Sequence, residues 1–318
     1  MLVIVAPGQG AQTPGFLSPW LEDAPSAARL ARLSEVAGLD LAHYGTEADA
    51  DAIRDTKVAQ PLLVAAGLLA GLELLPEDAL RTVGALAGHS VGELTAAGLS
   101  GALTAEEAVR LVRERGEAMA EAAAATPTSM TAVLGGDRDE VLAAIEKQGL
   151  TPANDNGPGQ IVAAGTIEQL AAFAEEPPAK ARLIPLSVAG AFHTEHMAPA
   201  VARVEALAAS VAPQDPHTPV ISNADGRVVT EGGDVLSRIV AQISRPVRWD
   251  LCMVTMIDLG VTGILELPPA GTLTGIAKRG MKGVETFALK TPDQLDDARA
   301  FVEKHGKPSP SLDPKDTH

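Results

Sequence analysis

Apolar positions in the first 125 residues fall into short continuous runs separated by longer amphipathic stretches. Leu2-Val3-Ile4-Val5-Ala6 is unbroken and ends at Pro7-Gly8, which predicts a buried strand over 3–6. A long apolar run predicts a helix over 60–75, with Gly67 and Gly71 spaced for close packing against a neighbour. Thr82-Val83-Gly84-Ala85-Leu86-Ala87 reads as a second strand over 82–87, and Leu94–Leu99 as the start of a helix. Thr104-Ala105-Glu106-Glu107 has capping-box form and opens a helix to about residue 125. Strand–helix alternation of this kind implies a mostly parallel sheet covered by helices.

The pattern changes at Thr126-Pro127-Thr128. Strand 130–134, helix 138–148, strands 151–155 and 160–164, helix 167–174 and strand 182–187 follow in β-α-β-β-α-β order, the signature of a ferredoxin-like unit. The predicted organisation is therefore a large α/β domain over 1–126, a small ferredoxin-like domain over 127–189, and the rest of the large domain over 190–303. In that last part, helices are expected over 197–211, 234–242, 249–259 and 273–279, with strands over 220–223 and 263–267. From Lys304 the chain is rich in Pro, Ser, Lys and Asp without apolar periodicity, so 304–318 is expected to be a mobile tail.

Between strand 82–87 and the next helix lies Gly88-His89-Ser90-Val91-Gly92-Glu93, a G-x-S-x-G sequence. A serine on a sharp strand-to-helix turn adopts a strained backbone, and glycines on both sides leave space for the close packing beneath it. Such a turn exposes the Ser90 hydroxyl at a helix N-terminus, where N–H groups can stabilise an oxyanion. Ser90 is thus the candidate nucleophile.

Two further positions stand out. On the 104–125 helix, at about 100° per residue, Ala108, Leu111, Val112 and Met119 share a face, and Arg115 falls inside that apolar stripe. Arg110, Arg113, Glu114 and Glu117 lie opposite. A buried guanidinium keeps its charge and needs acceptors. Two readings follow: a structural arginine paired with an internal carboxylate, or one that grips a substrate carboxylate. Gly116 would let another element or a ligand approach. The candidate general base is His193, in Gly190-Ala191-Phe192-His193, where a loop returns from the small domain. His89 is expected to point away from Ser90, His196 to be structural, and His43, His217, His305 and His318 to lie in polar or tail contexts. A triad acid between serine and histidine is not evident, because Asp137, Asp139 and Asp155 all fall in the small domain.

Composition narrows the function. The net charge of −16 argues against nucleic acid or an acidic membrane as partner. Lys278 and Arg279 are a possible local basic pair, equally explained as a solvated helix face. The single cysteine, Cys252, lies in an apolar run and reads as an inert core thiol. The N-terminal run lacks the form of a signal peptide, and the 61–75 region, interrupted by Glu73, reads as too short to span a bilayer. A cytoplasmic protein is expected, and with aromatic residues at only 3%, no obvious sticky patch; a monomer follows. No metal is expected, since His193 and His196 lack a third ligand at a recognisable spacing.

Several motifs then agree with one family. Pro7-Gly8-Gln9-Gly10-Ala11-Gln12, Gly88–Glu93, Arg115-Gly116-Glu117-Ala118-Met119 and Gly190–His193 resemble, in order, motifs of the malonyl-CoA:acyl carrier protein transacylases. Asn154–Gln160, Gln242–Trp249 and Glu266–Leu273 extend the likeness to about residue 280, with Leu267-Pro268-Pro269 departing from the usual V-G-P. The resemblance implies an α/β-hydrolase-like core with a ferredoxin-like small domain and the active site between them. It implies that Ser90 attacks the malonyl thioester of malonyl-CoA, that His193 carries the proton, and that the N–H groups of Gln9 and Val91 form the oxyanion hole. Arg115 would bind the malonyl carboxylate, a backbone carbonyl near Gln242 would orient His193, and Asn154 would order the pocket. The acceptor would be the phosphopantetheine thiol of acyl carrier protein, with no resident cofactor. Val91 and Phe192 resemble the malonyl-selecting members, whereas methylmalonyl-selecting members tend to carry Gln and Ser there. The competing readings are a serine hydrolase or thioesterase of the same fold and a catalytically silent scaffold. Joint presence of Ser90, His193 and Arg115 argues against the second.

Overall fold

The computed structural model describes residues 1–80 and 82–306. Two sheets organise the chain. In the first, β1 (Leu2–Ala6), β2 (Ala85–Gly88), β7 (Val220–Ile221), β8 (Val228–Val229), β10 (Gly263–Glu266) and β11 (Glu285–Ala288) lie in the order β11-β10-β1-β2-β7-β8. All neighbours in it are parallel except β7 and β8. In the second, β3 (Thr128–Gly135), β4 (Thr151–Asp155), β5 (Gln160–Thr166), β6 (Ala181–Pro185) and β9 (Val247–Arg248) lie in the order β6-β3-β5-β4-β9. The β6–β3, β3–β5 and β5–β4 pairs are antiparallel, and β9 joins β4 in parallel. β9 comes from outside the 127–189 stretch, so the small sheet is completed by a later segment of the chain.

The parallel sheet is buried on both faces, as strands in such sheets must be. Side chains alternate along each strand. Leu2, Ile4, Leu86 and Leu265 enter the larger core, while Val3, Val5, Ala85 and Ile264 enter a second core with Trp249, Cys252 and Met256. Glu266, fully buried at the end of β10, accepts from the N–H groups of Gly271, Leu273 and Thr274 at 2.8–2.9 Å. It thereby satisfies the open N-terminus of the Thr272–Gly280 helix.

Several boundaries differ from the sequence expectation for physical reasons. The 60–75 helix spans Thr56–Leu74, because Asp55 caps it by accepting from the Lys57 N–H. It is long and apolar enough to cross a membrane, contrary to the expectation from its sequence, yet 83% of its apolar window is buried inside the protein. Strand 82–87 shifts to Ala85–Gly88, since Thr82 and Val83 close a turn onto Ala79 and Leu80. The Ala24–Ala37 helix, opened by Asp23 accepting from the Ser26 N–H and closed at left-handed Gly38, is additional to the sequence expectation, as are β11 and the closing Leu295–His305 helix. That last helix carries into the stretch expected as tail, and His305 is buried against Phe301 and Thr262. The rest of the expected tail, 307–318, lies outside the described residues. The polar face of the Ala105–Ala125 helix is not simply solvated. Arg203 on the Ala198–Ala208 helix spans Glu114, Glu117 and Glu121 there.

The two glycines of the apolar helix act by close approach. A Cβ on Gly67 would lie 2.6 Å from Thr95 Cγ2, and one on Gly71 would lie 2.6 Å from Leu99 Cδ1. Both contacts press this helix onto Gly92–Leu99, the helix that leaves Ser90. Gly67→Val should therefore destabilise the fold by about 1–3 kcal/mol, read as a lower urea midpoint with an unchanged slope. An unchanged midpoint would mean that the two helices can separate without cost.

Candidate active site

Ser90 sits where β2 turns into the Gly92–Leu99 helix, with φ of 53°, in the left-handed region that side chains rarely occupy. The turn is tight enough to exclude side chains at both flanking glycines. A Cβ on Gly88 would lie 2.0 Å from the Gly92 carbonyl carbon, and one on Gly92 would lie 2.3 Å from Ala6 O. The Ser90 N–H donates to Asn223 Oδ1 at 2.8 Å. Asn223 in turn donates through Nδ2 to Gly88 O at 2.8 Å, so one amide clasps both sides of the turn.

His193 is also left-handed, with φ of 61°. Its turn is braced from β3, where Thr128 Oγ1 accepts from the Ala191 N–H at 2.9 Å, and from within by Thr194 Oγ1 donating to Ala191 O at 2.7 Å. His193 and His196 therefore do not share a helix face. His193 Nε2 lies 2.7 Å from Ser90 Oγ, and Nδ1 lies 2.9 Å from the backbone oxygen of Gln242. A carbonyl can only accept, so the proton resides on Nδ1 and Nε2 presents its lone pair to the serine hydroxyl. Burial, and then the neighbouring Arg115 charge, push the imidazole down to about 3. It stays neutral, which leaves Nε2 able to accept a proton.

Arg115 is 1% exposed. Nη1 donates to Gln60 Oε1 at 2.6 Å, and Nη2 reaches Ser90 Oγ at 3.3 Å and Gln242 Oε1 at 3.4 Å. The cation is thus held by neutral oxygens at the mouth of the serine hydroxyl. Gly116 admits the start of the Thr56–Leu74 helix, since a Cβ there would lie 3.0 Å from Thr56 O. Of the two readings of Arg115, the carboxylate partner of the structural one is Glu93, which acts on it through space while Gln242 stands between them.

Gln9, Val91, Asn154 and Phe192 line the same narrow cavity of ≈ 80 Å³ as Ser90 and His193, with Gln60, Met119 and Met130. The backbone N–H groups of Gln9 and Val91 make no hydrogen bond among the described residues, while the Gln9 side chain is tied to Arg54 O and Thr56 Oγ1. Asn154 Oδ1 is buried in the cavity wall with no hydrogen-bond partner among the described residues. His89 turns away from Ser90, its Nε2 2.7 Å from Asn156 Oδ1 and its ring against Trp249. Larger cavities exist elsewhere, including ≈ 280 Å³ between Val133 and Met253 and an ≈ 870 Å³ cleft near Arg29 and Glu106. Neither brings a nucleophile to a base, and that geometry rather than volume selects the site.

Three residues here escaped the reading of the sequence. Gln60 is a lone amide inside an apolar helix, and that anomaly was a usable signal. Glu93 and Asn223 lie in motifs or strands that suggested no role. Glu93 is 2% exposed, accepts from the Asn223 N–H at 2.7 Å and from Gln242 Nε2, and is pushed up by burial. Cys252, beside Asn223 Nδ2, is buried and its thiol raised well above the usual range, which keeps it unreactive.

Residues 3–303 match the model of the acyl transferase domain family. A relative from Mycobacterium tuberculosis named malonyl CoA-acyl carrier protein transacylase is 51% identical over 298 residues, covering 93% of this chain and 99% of that protein. The crystal structure of MCAT from the same organism superposes with a TM-score of 0.91, at 51% identity, over 94% of this chain and 99% of that one. A solved complex of a type II polyketide synthase acyl carrier protein with its malonyl-transacylase superposes with a TM-score of 0.83, at 27% identity, over 94% of this chain and 99% of that one.

The low proton affinity of His193 has a kinetic consequence. Modification of Ser90 by an uncharged fluorophosphonate should hold its rate as pH falls from neutral to well below the ordinary histidine value of about 6.5. Loss of half the rate near that value would show an imidazole solvated and uncoupled from Arg115.

Proposed function

The chain belongs to the acyl transferase family, and from that premise we propose that it moves the malonyl group of malonyl-CoA onto the phosphopantetheine thiol of an acyl carrier protein. One observation carries this reading beyond the family: Arg115, buried and permanently charged, aims Nη2 at the same Ser90 oxygen that His193 Nε2 contacts. A site for neutral acyl groups has no use for a cation at the nucleophile. A free carboxylate on the acyl chain would complete its hydrogen bonding with charge-assisted contacts.

The chemistry follows from the geometry. Ser90 Oγ attacks the thioester carbonyl while His193 Nε2 takes its proton. The carbonyl oxygen, now anionic, is met by the N–H groups of Gln9 and Val91. Collapse breaks the C–S bond, and His193 returns the proton to the departing CoA thiolate, leaving malonyl on Ser90. The carrier thiol then gives its proton to His193 and attacks the ester, and Ser90 leaves with that proton. The Gln242 carbonyl holds the imidazole in one tautomer throughout, in place of a triad acid. Asn154 offers an acceptor in the cavity wall, and Phe192 closes the space a branched acyl group would need.

The finer architecture belongs to the same reading. The β6-β3-β5-β4 order with two helices supports a ferredoxin-like small domain over about 127–189. The elbow between β2 and its helix supports an α/β-hydrolase-like core over 1–126 and 190–303. The mechanism draws on no metal or resident cofactor. The net charge of −16 and the burial of the one long apolar helix among the described residues support a cytoplasmic protein that binds neither nucleic acid nor membrane, and the aromatic content of only 3% supports a monomer.

Intact-mass measurement after mixing with malonyl-CoA should show a malonyl adduct that Ser90→Ala abolishes and holo acyl carrier protein discharges. Release of free malonate without an adduct would instead favour a hydrolase. Arg115→Ala should lower the malonyl-to-acetyl preference about ten- to hundred-fold, the worth of a charged hydrogen-bonded pair. An unchanged preference would remove the carboxylate-binding role. Phe192→Ala should raise acceptance of 2-methylmalonyl-CoA relative to malonyl-CoA by about ten-fold or more, measured as a ratio of kcat/KM values. A constant ratio would move the discrimination to another wall.

A further inference from the structure

Behind the reacting groups lies a closed chain of amides that starts at a carboxylate. Glu93, in the first turn of the Gly92–Leu99 helix, has donors facing both oxygens: Oε1 takes the Asn223 N–H at 2.7 Å, and Oε2 takes Gln242 Nε2. The second hydrogen of Gln242 Nε2 goes to Asn223 Oδ1 at 3.2 Å. Both donors of that side chain are then committed, and Oε1 of Gln242 has only one way to face, toward Arg115 Nη2 at 3.4 Å. The Asn223 amide is fixed in the same way, with Nδ2 on Gly88 O and Oδ1 on the Ser90 N–H.

We infer that Glu93 is a positioning residue: it sets the orientation of the Gln242 and Asn223 amides, and through them the aim of Arg115 and the turn that holds Ser90. The inference rests on the transfer reading above. Glu93 touches neither substrate nor reacting atom. Burial pushes the Glu93 carboxyl up to about 8, but N–H donors face both of its oxygens and leave a carboxyl proton no acceptor on that side, so the geometry calls for a double acceptor. A neutral amide in its place presents a donor to one of these two donors whichever way it turns. The cheapest relief is a flip of Gln242, which turns an NH₂ group toward the Arg115 guanidinium. A group that merely filled space would not care about this distinction, since glutamine and glutamate have nearly the same shape.

The test is Glu93→Gln, compared with wild type, Arg115→Ala and the double variant. Rate constants for acylation of Ser90 by malonyl-CoA and by acetyl-CoA are measured for each, with the thermal midpoint of each protein. The expected result for Glu93→Gln is a fall in the malonyl-to-acetyl ratio of about ten-fold or more, on the scale of one charged hydrogen bond. The double variant should have the ratio of Arg115→Ala alone, because both changes act through one guanidinium. A wild-type ratio in Glu93→Gln, with rates lowered equally for both substrates, overturns the inference and leaves Glu93 as structural filling. A ratio unchanged in Arg115→Ala overturns the arginine reading itself, and the inference with it. If Glu93→Gln does not fold, Gln242→Met tests the same relay: it removes the side-chain amide but keeps the backbone carbonyl on His193. Its malonyl-to-acetyl ratio should fall likewise, and a retained ratio overturns the inference.

Discussion

The site depends on one charge that cannot be given up. Arg115 is buried among apolar side chains of the Ala105–Ala125 helix, where a lysine or histidine could shed its proton but a guanidinium cannot. The surrounding residues answer it with oxygens of Gln60, Gln242 and Ser90 and, one layer back, with the carboxylate of Glu93. Holding a cation with neutral acceptors leaves its electrostatic demand partly unmet. That unmet demand is what a carboxylate-bearing substrate supplies in the proposed reaction.

The same charge shapes the histidine beside Ser90. Burial and Arg115 together keep His193 neutral, and the Gln242 carbonyl keeps its proton on the nitrogen remote from Ser90. Gln242 therefore serves twice, its backbone oxygen on the imidazole and its side-chain oxygen on the guanidinium. Both Ser90 and His193 occupy left-handed backbone, a conformation that costs free energy and persists only when the surroundings over-determine it. Here Asn223 clasps one turn and Thr128 and Thr194 brace the other. The strain sits at the two groups that must meet at 2.7 Å.

Much of this was legible in the sequence because it is local. Gly88 and Gly92 mark the elbow, since any Cβ at either would collide with backbone. Thr104 and Glu107 form the capping box they spell. Arg115 betrays itself by helical periodicity alone. The β-α-β-β-α-β order is visible because each strand and helix carries its own period. Less was legible where packing overrides the local signal. The two-residue strands β8 and β9 take their form from neighbours, and His305 is buried by a helix that closes over Gly263. The 61–75 run reads as too short for a bilayer, but the Thr56–Leu74 helix that forms is long enough, and burial rather than length is what distinguishes it.

What the sequence by itself determined is therefore the set of chemically committed residues and the local turns that present them: the elbow serine, the histidine at the chain's return, and a charged residue on an apolar face. What only the tertiary structure decided is their mutual aim. Ser90 and His193 are 103 positions apart, and Ser90 and Asn223 are 133 apart. Gln242 lies 149 positions from Glu93 and 127 from Arg115. Hydrogen bonds act over about 3 Å and carry no trace of such separations in the order of residues. An amide's orientation in particular depends on every partner around it at once, so Glu93, Asn223 and Gln60 acquire meaning only when the sheets and helices have brought those partners together.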